Sequence, residues 1–112
     1  MAGRKEKLGK QIQKDLGEIL DAAAKQILKG TMVTVLEVVV TSDLGLAKVH
    51  ISLFNTQDKA ADLVLIQQNS PQIRHYLAQK MKDQVRKIPE LLFFLDERIE
   101  RAEKIERLLK NL

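Results

Sequence analysis

The tripeptide Asn69-Ser70-Pro71 is the feature that most restricts how this chain can fold. Proline has no amide hydrogen and its fixed φ suits the first turn of a helix, so Pro71 predicts a helix start. Proline also disfavours the α conformation in the residue before it, which suits Ser70 as an N-cap, and Asn69 tolerates a left-handed conformation. The three residues therefore predict a kink that ends one helix and begins another.

The segment after this kink has the apolar spacing of an amphipathic helix. We predict a helix over residues 72–88, which Pro89 cannot continue. Its buried face should consist of Ile73, Leu77, Met81, Val85 and Ile88. Residues 71–88 carry five basic side chains and one acidic one. A capped helix start with basic side chains around it is a suitable place for a phosphate group.

Hydrophobic periodicity predicts the other elements. We expect helices over 5–29, 59–68 and 97–112, and strands over 32–40, 47–54 and 91–95. The first two strands should form an antiparallel hairpin, and the third, a nearly all-apolar run, should be buried on both faces. This order predicts an α+β fold of one domain over residues 1–112, a two-layer sandwich with helices on one face of a three-stranded sheet.

The sequence offers little for catalysis or cofactor binding. Its histidines are His50 and His75, it has no cysteine, and it lacks the glycine patterns that bind nucleotides. We therefore expect no enzyme activity, no metal site and no cofactor, and we interpret His50 as a surface residue of its strand. The longest apolar runs are too short to cross a bilayer and no signal peptide is apparent, so we expect a cytoplasmic protein without membrane contact.

Positive charge is concentrated in two segments of a chain whose net charge is +4. One is the segment 71–88, and the other is the start of the first helix, where cations oppose the helix dipole. This distribution favours a polyanionic partner such as structured RNA, although a solvated surface would give the same pattern. Aromatic residues are too few to predict RNA binding by base stacking.

Several blocks resemble the ribosome-binding factor A family of bacteria. They are the amphipathic first helix with its basic start, Thr41-Ser42-Asp43-Leu44 followed by Ala47-Lys48-Val49, and the run Pro-Glu-Leu-Leu-Phe-Phe-Leu-Asp over residues 89–96. The predicted element order is that of a type II KH-like domain with an added C-terminal helix. The family usually has Ala-x-Gly at the kink, where this chain has Asn69-Ser70-Pro71.

The resemblance implies a non-enzymatic assembly factor. Such a factor would bind the free small (30S) ribosomal subunit, assist late maturation of 16S ribosomal RNA including its 5′ end, and support growth in the cold. It would act as a monomer, with other assembly factors, including a GTPase, as further candidate partners. Two alternatives stay open: a generic KH module that binds single-stranded RNA, and a protein-interaction domain that uses its first or last helix.

Within this interpretation, RNA binding is assigned to the basic residues of the first helix and of the segment after the kink, together with the kink itself. The candidate RNA-binding residues are Arg4, Lys5, Lys7, Lys10, Lys14, Ser70, Arg74, Lys80, Lys82, Arg86 and Lys87.

Overall fold

The computed structural model describes residues 3–112 as four helices and a three-stranded sheet. The elements are α1 (Arg4–Ile27), β1 (Met32–Val40), β2 (Leu46–Phe54), α2 (Lys59–Gln68), α3 (Ser70–Met81), β3 (Glu90–Leu95) and α4 (Arg98–Lys110). This order confirms the predicted α-β-β-α-α-β-α arrangement and the α+β fold.

The sheet has the strand order β1-β2-β3, in which β1 and β2 are antiparallel and β2 and β3 are parallel. The turn between β1 and β2 is held by Asp43, whose carboxylate accepts hydrogen bonds from the Thr41 hydroxyl at 2.7 Å and the Gly45 amide at 2.9 Å. The parallel pairing requires a crossover, which α2 and α3 supply. The predicted hairpin is therefore present, and a crossover joins it to β3.

The core lies between one face of the sheet and helices α1 and α3. Apolar side chains of α1 and α3 meet those of the central strand β2, and nine of them are at most 2 % exposed: Ile12, Leu16, Leu20, Ala47, Val49, Ile51, Ile73, Leu77 and Met81. Because these side chains are spaced four apart in the helices and two apart in β2, those of each element lie on one face.

The prediction that β3 is buried on both faces is wrong. Leu91 and Phe93 are each 4 % exposed, whereas Leu92 and Phe94 are each 37 % exposed. Successive side chains of a strand point to opposite faces, and the helices cover only one face of this sheet. An unbroken apolar run therefore does not establish burial on both sides.

The kink has a different cap from the one predicted. Asn69, with φ −90° and not a left-handed conformation, is the single residue between α2 and α3, and Ser70 is already helical. The Asn69 side-chain amide donates to the carbonyl of Leu65 at 2.7 Å, and the Ser70 hydroxyl donates to the carbonyl of Leu91 at 3.4 Å. Both side chains bind neighbouring backbone, so neither caps α3 as an N-cap would.

Helix α3 is shorter than predicted, because it ends at Met81 and not at residue 88. The amides of Gln84 and Val85 both donate to the carbonyl of Met81, which closes a turn directly after the helix. Ile88 is still buried, at 5 % exposure, although it reaches the core from the loop. Apolar spacing alone did not distinguish this loop from a further helical turn.

Helix α4 extends away from the sheet. Every residue from 101 onward is exposed, including Ile105, Leu108 and Leu109 at 57–62 %. Its first turn is tied to the body by ion pairs from Arg98 to Glu37 and Asp96. The hydrogen bonds from Arg98 hold the pKa of Asp96 below its usual value.

Gln67 of α2 occupies the free edge of β3. Its side chain donates to the carbonyl of Leu91 at 3.2 Å and accepts from the amide of Phe93 at 3.0 Å. The amide group thus takes the place of a neighbouring strand. Backbone groups that would otherwise be open to edge-to-edge pairing are satisfied within the molecule.

Replacing Gln67 with alanine should leave the Phe93 amide without a partner, and the Leu91 carbonyl should keep only the Ser70 hydroxyl. Unfolding free energy should fall by about 1–3 kcal/mol, the usual cost of an unsatisfied buried group. The measurement is urea unfolding followed by circular dichroism, with Gln68→Ala as the control because Gln68 is exposed on the same helix. Equal stability of the two variants would show that the edge contact contributes nothing.

Gly9 sets the distance between α1 and β1. A Cβ atom at Gly9 would lie 2.8 Å from the carbonyl oxygen of Val38, closer than real contacts allow, while one at Gly17 would meet nothing within 4 Å. The two glycines of the same helix therefore have opposite roles: Gly9 permits close packing, and Gly17 only weakens the helix.

Substituting alanine at these two positions should accordingly change stability in opposite directions. Gly9→Ala should destabilise the protein by about 1–3 kcal/mol because α1 must move from β1. Gly17→Ala should stabilise it by about 0.5–1 kcal/mol through helix propensity. Thermal unfolding of both variants tests this, and a stabilised Gly9→Ala variant would contradict the packing described here.

Candidate nucleic-acid interface

The basic residues at the start of α1 project away from the sheet. Lys7, Lys10 and Lys14 are spaced three and four residues apart, so they share one face of the helix, and all three are exposed. The buried side chains Ile12 and Leu16 lie on the opposite face. The first half of α1 therefore presents a row of cations to solvent.

The loop between α3 and β3 returns to the same end of the sheet. Gly9 packs α1 against the final residues of β1, and the hairpin turn connects that end to the start of β2. The amide of Glu90 donates to the carbonyl of Gly45 in this turn at 3.0 Å. Residues 82–87, which only Ile88 and Pro89 separate from β3, therefore lie at the end of the sheet where the first half of α1 packs.

An ion pair between Glu18 and Lys80 joins α1 to α3 near this end. The hydrogen bond and charge of Lys80 lower the pKa of Glu18, and the same hydrogen bond raises the pKa of Lys80. Lys14 adds a smaller electrostatic lowering of the Glu18 pKa. Glu18 thus lies between two cations, one on each helix, and partly offsets the repulsion between them.

We call this surface the basic end. It contains nine of the predicted RNA-binding residues, all exposed: Arg4, Lys5, Lys7, Lys10, Lys14, Lys80, Lys82, Arg86 and Lys87. The acidic residues Glu6, Asp15, Glu18 and Asp83 lie in the same segments, four against these nine, so positive charge predominates. A surface of this kind attracts a polyanion and binds phosphate groups with little dependence on sequence.

A groove between α1 and α3 is a feature that the sequence did not predict. It has a volume of about 780 Å³ and runs from the kink to the Glu18–Lys80 ion pair. Small side chains at Ala22 and Ala23 open it, and Tyr76 lines it while 48 % exposed. The sequence feature that could have indicated this groove is the pair Ala22-Ala23 beside the apolar stripe of α1.

The described residues give no indication of metal binding or of a membrane-spanning helix. Within residues 3–112, no group of three or more His, Asp or Glu side chains is placed to hold a metal ion. Over the same range, no helix is both long and apolar enough to cross a bilayer.

The family model of ribosome-binding factor A matches residues 4–109. The chain belongs to the ribosome-binding factor A family. Ribosome-binding factor A of Chlorobium phaeobacteroides (strain DSM 266 / SMG 266 / 2430) is 40 % identical over 113 residues, which cover 100 % of this chain and 96 % of the relative. The resemblance inferred from the sequence blocks is therefore confirmed.

Solved structures of ribosome-binding factor A have the same fold. The crystal structure of the Thermus thermophilus protein has a TM-score of 0.69 at 22 % identity, covering 84 % of this chain and 97 % of that chain. A Thermus thermophilus homology model fitted into a cryo-EM map of a complex with the 30S subunit has a TM-score of 0.68 at 22 % identity, covering 83 % and 96 %.

In this member of the ribosome-binding factor A family, two predicted RNA-binding residues are used inside the protein. The Arg74 guanidinium donates from Nε and Nη2 to the carbonyl of Ile88 at 3.1 and 2.5 Å. Ser70 is 8 % exposed and faces Leu91. The start of α3 is therefore not surrounded by free cations, because Arg74 is bound and the other basic residues of this segment lie at or beyond the end of α3.

The contact between Arg74 and Ile88 predicts a structural role for this arginine. Arg74→Gln should lower the unfolding free energy by about 1–3 kcal/mol, because the charge-assisted hydrogen bonds to the carbonyl of the buried residue Ile88 are lost. Arg86→Gln, which makes the same change on an exposed loop residue, should alter stability by less than about 0.5 kcal/mol. Chemical unfolding of the two variants measures this, and equal effects would contradict the assignment.

Proposed function

We propose that this protein is a ribosome assembly factor that binds the free small (30S) subunit and assists late maturation of 16S ribosomal RNA, including processing of its 5′ end. Membership of the ribosome-binding factor A family supports this proposal. A Thermus thermophilus family member has been fitted into a map of its complex with the 30S subunit. The observation that carries the proposal for this chain is the basic end.

The basic end would bind ribosomal RNA through its phosphates. Each lysine or arginine that neutralises a phosphate releases a condensed counterion, so affinity should fall steeply as salt rises. Phosphate contacts fix position and orientation but carry no base sequence. A folded ribosomal RNA supplies the missing specificity through its shape, because only one arrangement of backbones fits all the cations together.

The proposed mechanism is a shift in population among conformations of the immature RNA. Binding favours the conformation that matches the basic end, by no more than the difference in affinity between conformations. The protein would act without catalysis, in the cytoplasm, as a single-domain monomer that leaves before translation begins. Growth in the cold would depend on it most, because misfolded RNA escapes more slowly at low temperature. Other assembly factors, including a GTPase, would act on the same subunit.

A second candidate function is contact with a partner protein through α4. The observation in its favour is the exposed apolar set of Ile105, Leu108 and Leu109. The generic KH alternative is less favoured, since the kink contains no glycine and Gln67 already occupies the edge of β3. Contact through α4 would be nearly independent of salt, which separates it from RNA binding.

Co-sedimentation with purified small subunits, large subunits and whole ribosomes over a salt series tests the proposal. We expect binding to free small subunits alone, with a logarithmic affinity that falls linearly with logarithmic salt. Equal binding to all three particles, or binding that does not respond to salt, would contradict it.

Charge reversal within the basic end should weaken subunit binding without unfolding the protein. The double variant Lys82→Glu, Arg86→Glu should reduce the salt slope by about two, one for each lost phosphate contact. Both residues are exposed, so the melting temperature should change little. Lys25→Glu, Lys29→Glu makes the same charge change in the last turn of α1 and just after it, and should bind nearly as wild type. Equal loss in both double variants would show that only net charge matters.

A further inference from the structure

The groove between α1 and α3 has the shape of a small-ligand site. Its volume of about 780 Å³ lies in the range of sites that enclose small molecules. Ile19 and Ala23 of α1 and Ile73 of α3 give it an apolar floor. Tyr76 also lines the groove and is 48 % exposed, so an aromatic side chain there is in contact with water.

Two side-chain amides in the groove are exposed and can bond a ligand in place of water. Gln26 lines the groove from α1 and Gln72 from α3. Within residues 3–112, neither side chain makes an intramolecular hydrogen bond, whereas Asn69 donates to the carbonyl of Leu65 and Gln79 bonds the His75 ring. An amide offers a donor and an acceptor together, which is the pattern that pairs with the edge of a nucleobase.

The groove is continuous with the basic end. α1 and α3 run antiparallel, with Ile27 beside Ile73 and Glu18 beside Lys80. The ion pair of Glu18 and Lys80 closes one end of the groove, and Lys14 lies next to it on α1. An RNA strand whose phosphates follow the basic end therefore reaches the groove beside Lys14 and the Glu18–Lys80 pair.

We propose that the groove binds one unpaired nucleotide of RNA, with its base stacked on Tyr76 and its edge bonded to Gln26 and Gln72. This inference rests on the proposed function, because the basic end holds the flanking phosphates. A single tyrosine suffices for one base, although the chain has too few aromatic rings for a stacking platform. The uncharged amides fit a nucleobase better than an acidic peptide, which would require cations on both walls.

The test measures binding of fluorescently labelled single-stranded RNA dodecamers by anisotropy and of purified small subunits by co-sedimentation, both over a salt series. Tyr76→Ala and Tyr76→Leu should each weaken dodecamer binding about tenfold, while Tyr76→Phe, which keeps the ring, should stay within about twofold. The double variant Gln26→Ala, Gln72→Ala should lose about fivefold. Gln68→Ala, an exposed amide of α2 outside both the groove and the basic end, is the control.

The salt series separates this inference from the proposed function. Loss of a stacked base should lower affinity without changing the salt slope, since no phosphate contact is lost. Salt-sensitive subunit binding by wild type, together with unchanged dodecamer affinity in Tyr76→Ala, Tyr76→Leu and the glutamine double variant, would overturn the groove assignment and leave the proposed function standing. Absence of subunit binding by wild type would overturn both. Displacement of the bound dodecamer by a peptide of residues 98–112 would overturn the groove assignment and would indicate that an amphipathic helix is the occupant.

Discussion

Close packing of α1 on β1 is the contact on which the rest of the structure depends. The absence of a side chain at Gly9 lets the helix approach the carbonyl of Val38, so the first half of α1 lies at the end of the sheet. The hairpin turn and the start of β3 meet at that same end through the bond between Glu90 and Gly45. Two basic segments far apart in sequence are thereby brought to one surface. Their repulsion is tolerated because the charges remain in water, where the effective dielectric constant is high.

Because helices cover one face of the sheet, the surfaces that remain accessible to a partner are limited. Helices α1 and α3 cover one face, and their junction forms the groove beside the basic end. The edge of β3 is closed by Gln67, so the backbone there is not free to pair with another strand or with a base. In the proposed function, contact with RNA is made by side chains on helices and loops. This suits a protein whose partner is recognised by shape and charge.

The sequence was sufficient to predict the order of elements because each carries a strong period. The alternation at Ala47, Val49 and Ile51 and the spacing of Ile12, Leu16 and Leu20 correspond to faces that the structure buries. Pro71 correctly marked the kink, but the cap was wrong, because Ser70 bonds a strand that is 21 residues distant in sequence. The burial of β3 on one face was also missed, since a run of apolar residues has no alternation to interpret.

Site residues were less predictable because their contacts are long-range. The sequence does not show whether a basic side chain on a helix faces solvent or bonds the backbone. Arg74 bonds the carbonyl of Ile88, which is 14 residues away. Lys80 pairs with a glutamate 62 residues distant. The groove depends on the antiparallel placement of α1 and α3, which no local pattern encodes. Charge segregation was the one feature of the site that composition showed directly.

The most direct test of this account is a cryo-EM structure of the protein bound to the free small subunit, at a resolution that shows side chains. We expect basic residues of the segments 4–14 and 80–87 to contact ribosomal RNA phosphates, with the groove between α1 and α3 facing the RNA. A complex in which the basic end faces solvent and the apolar face of α4 makes the contacts would contradict it.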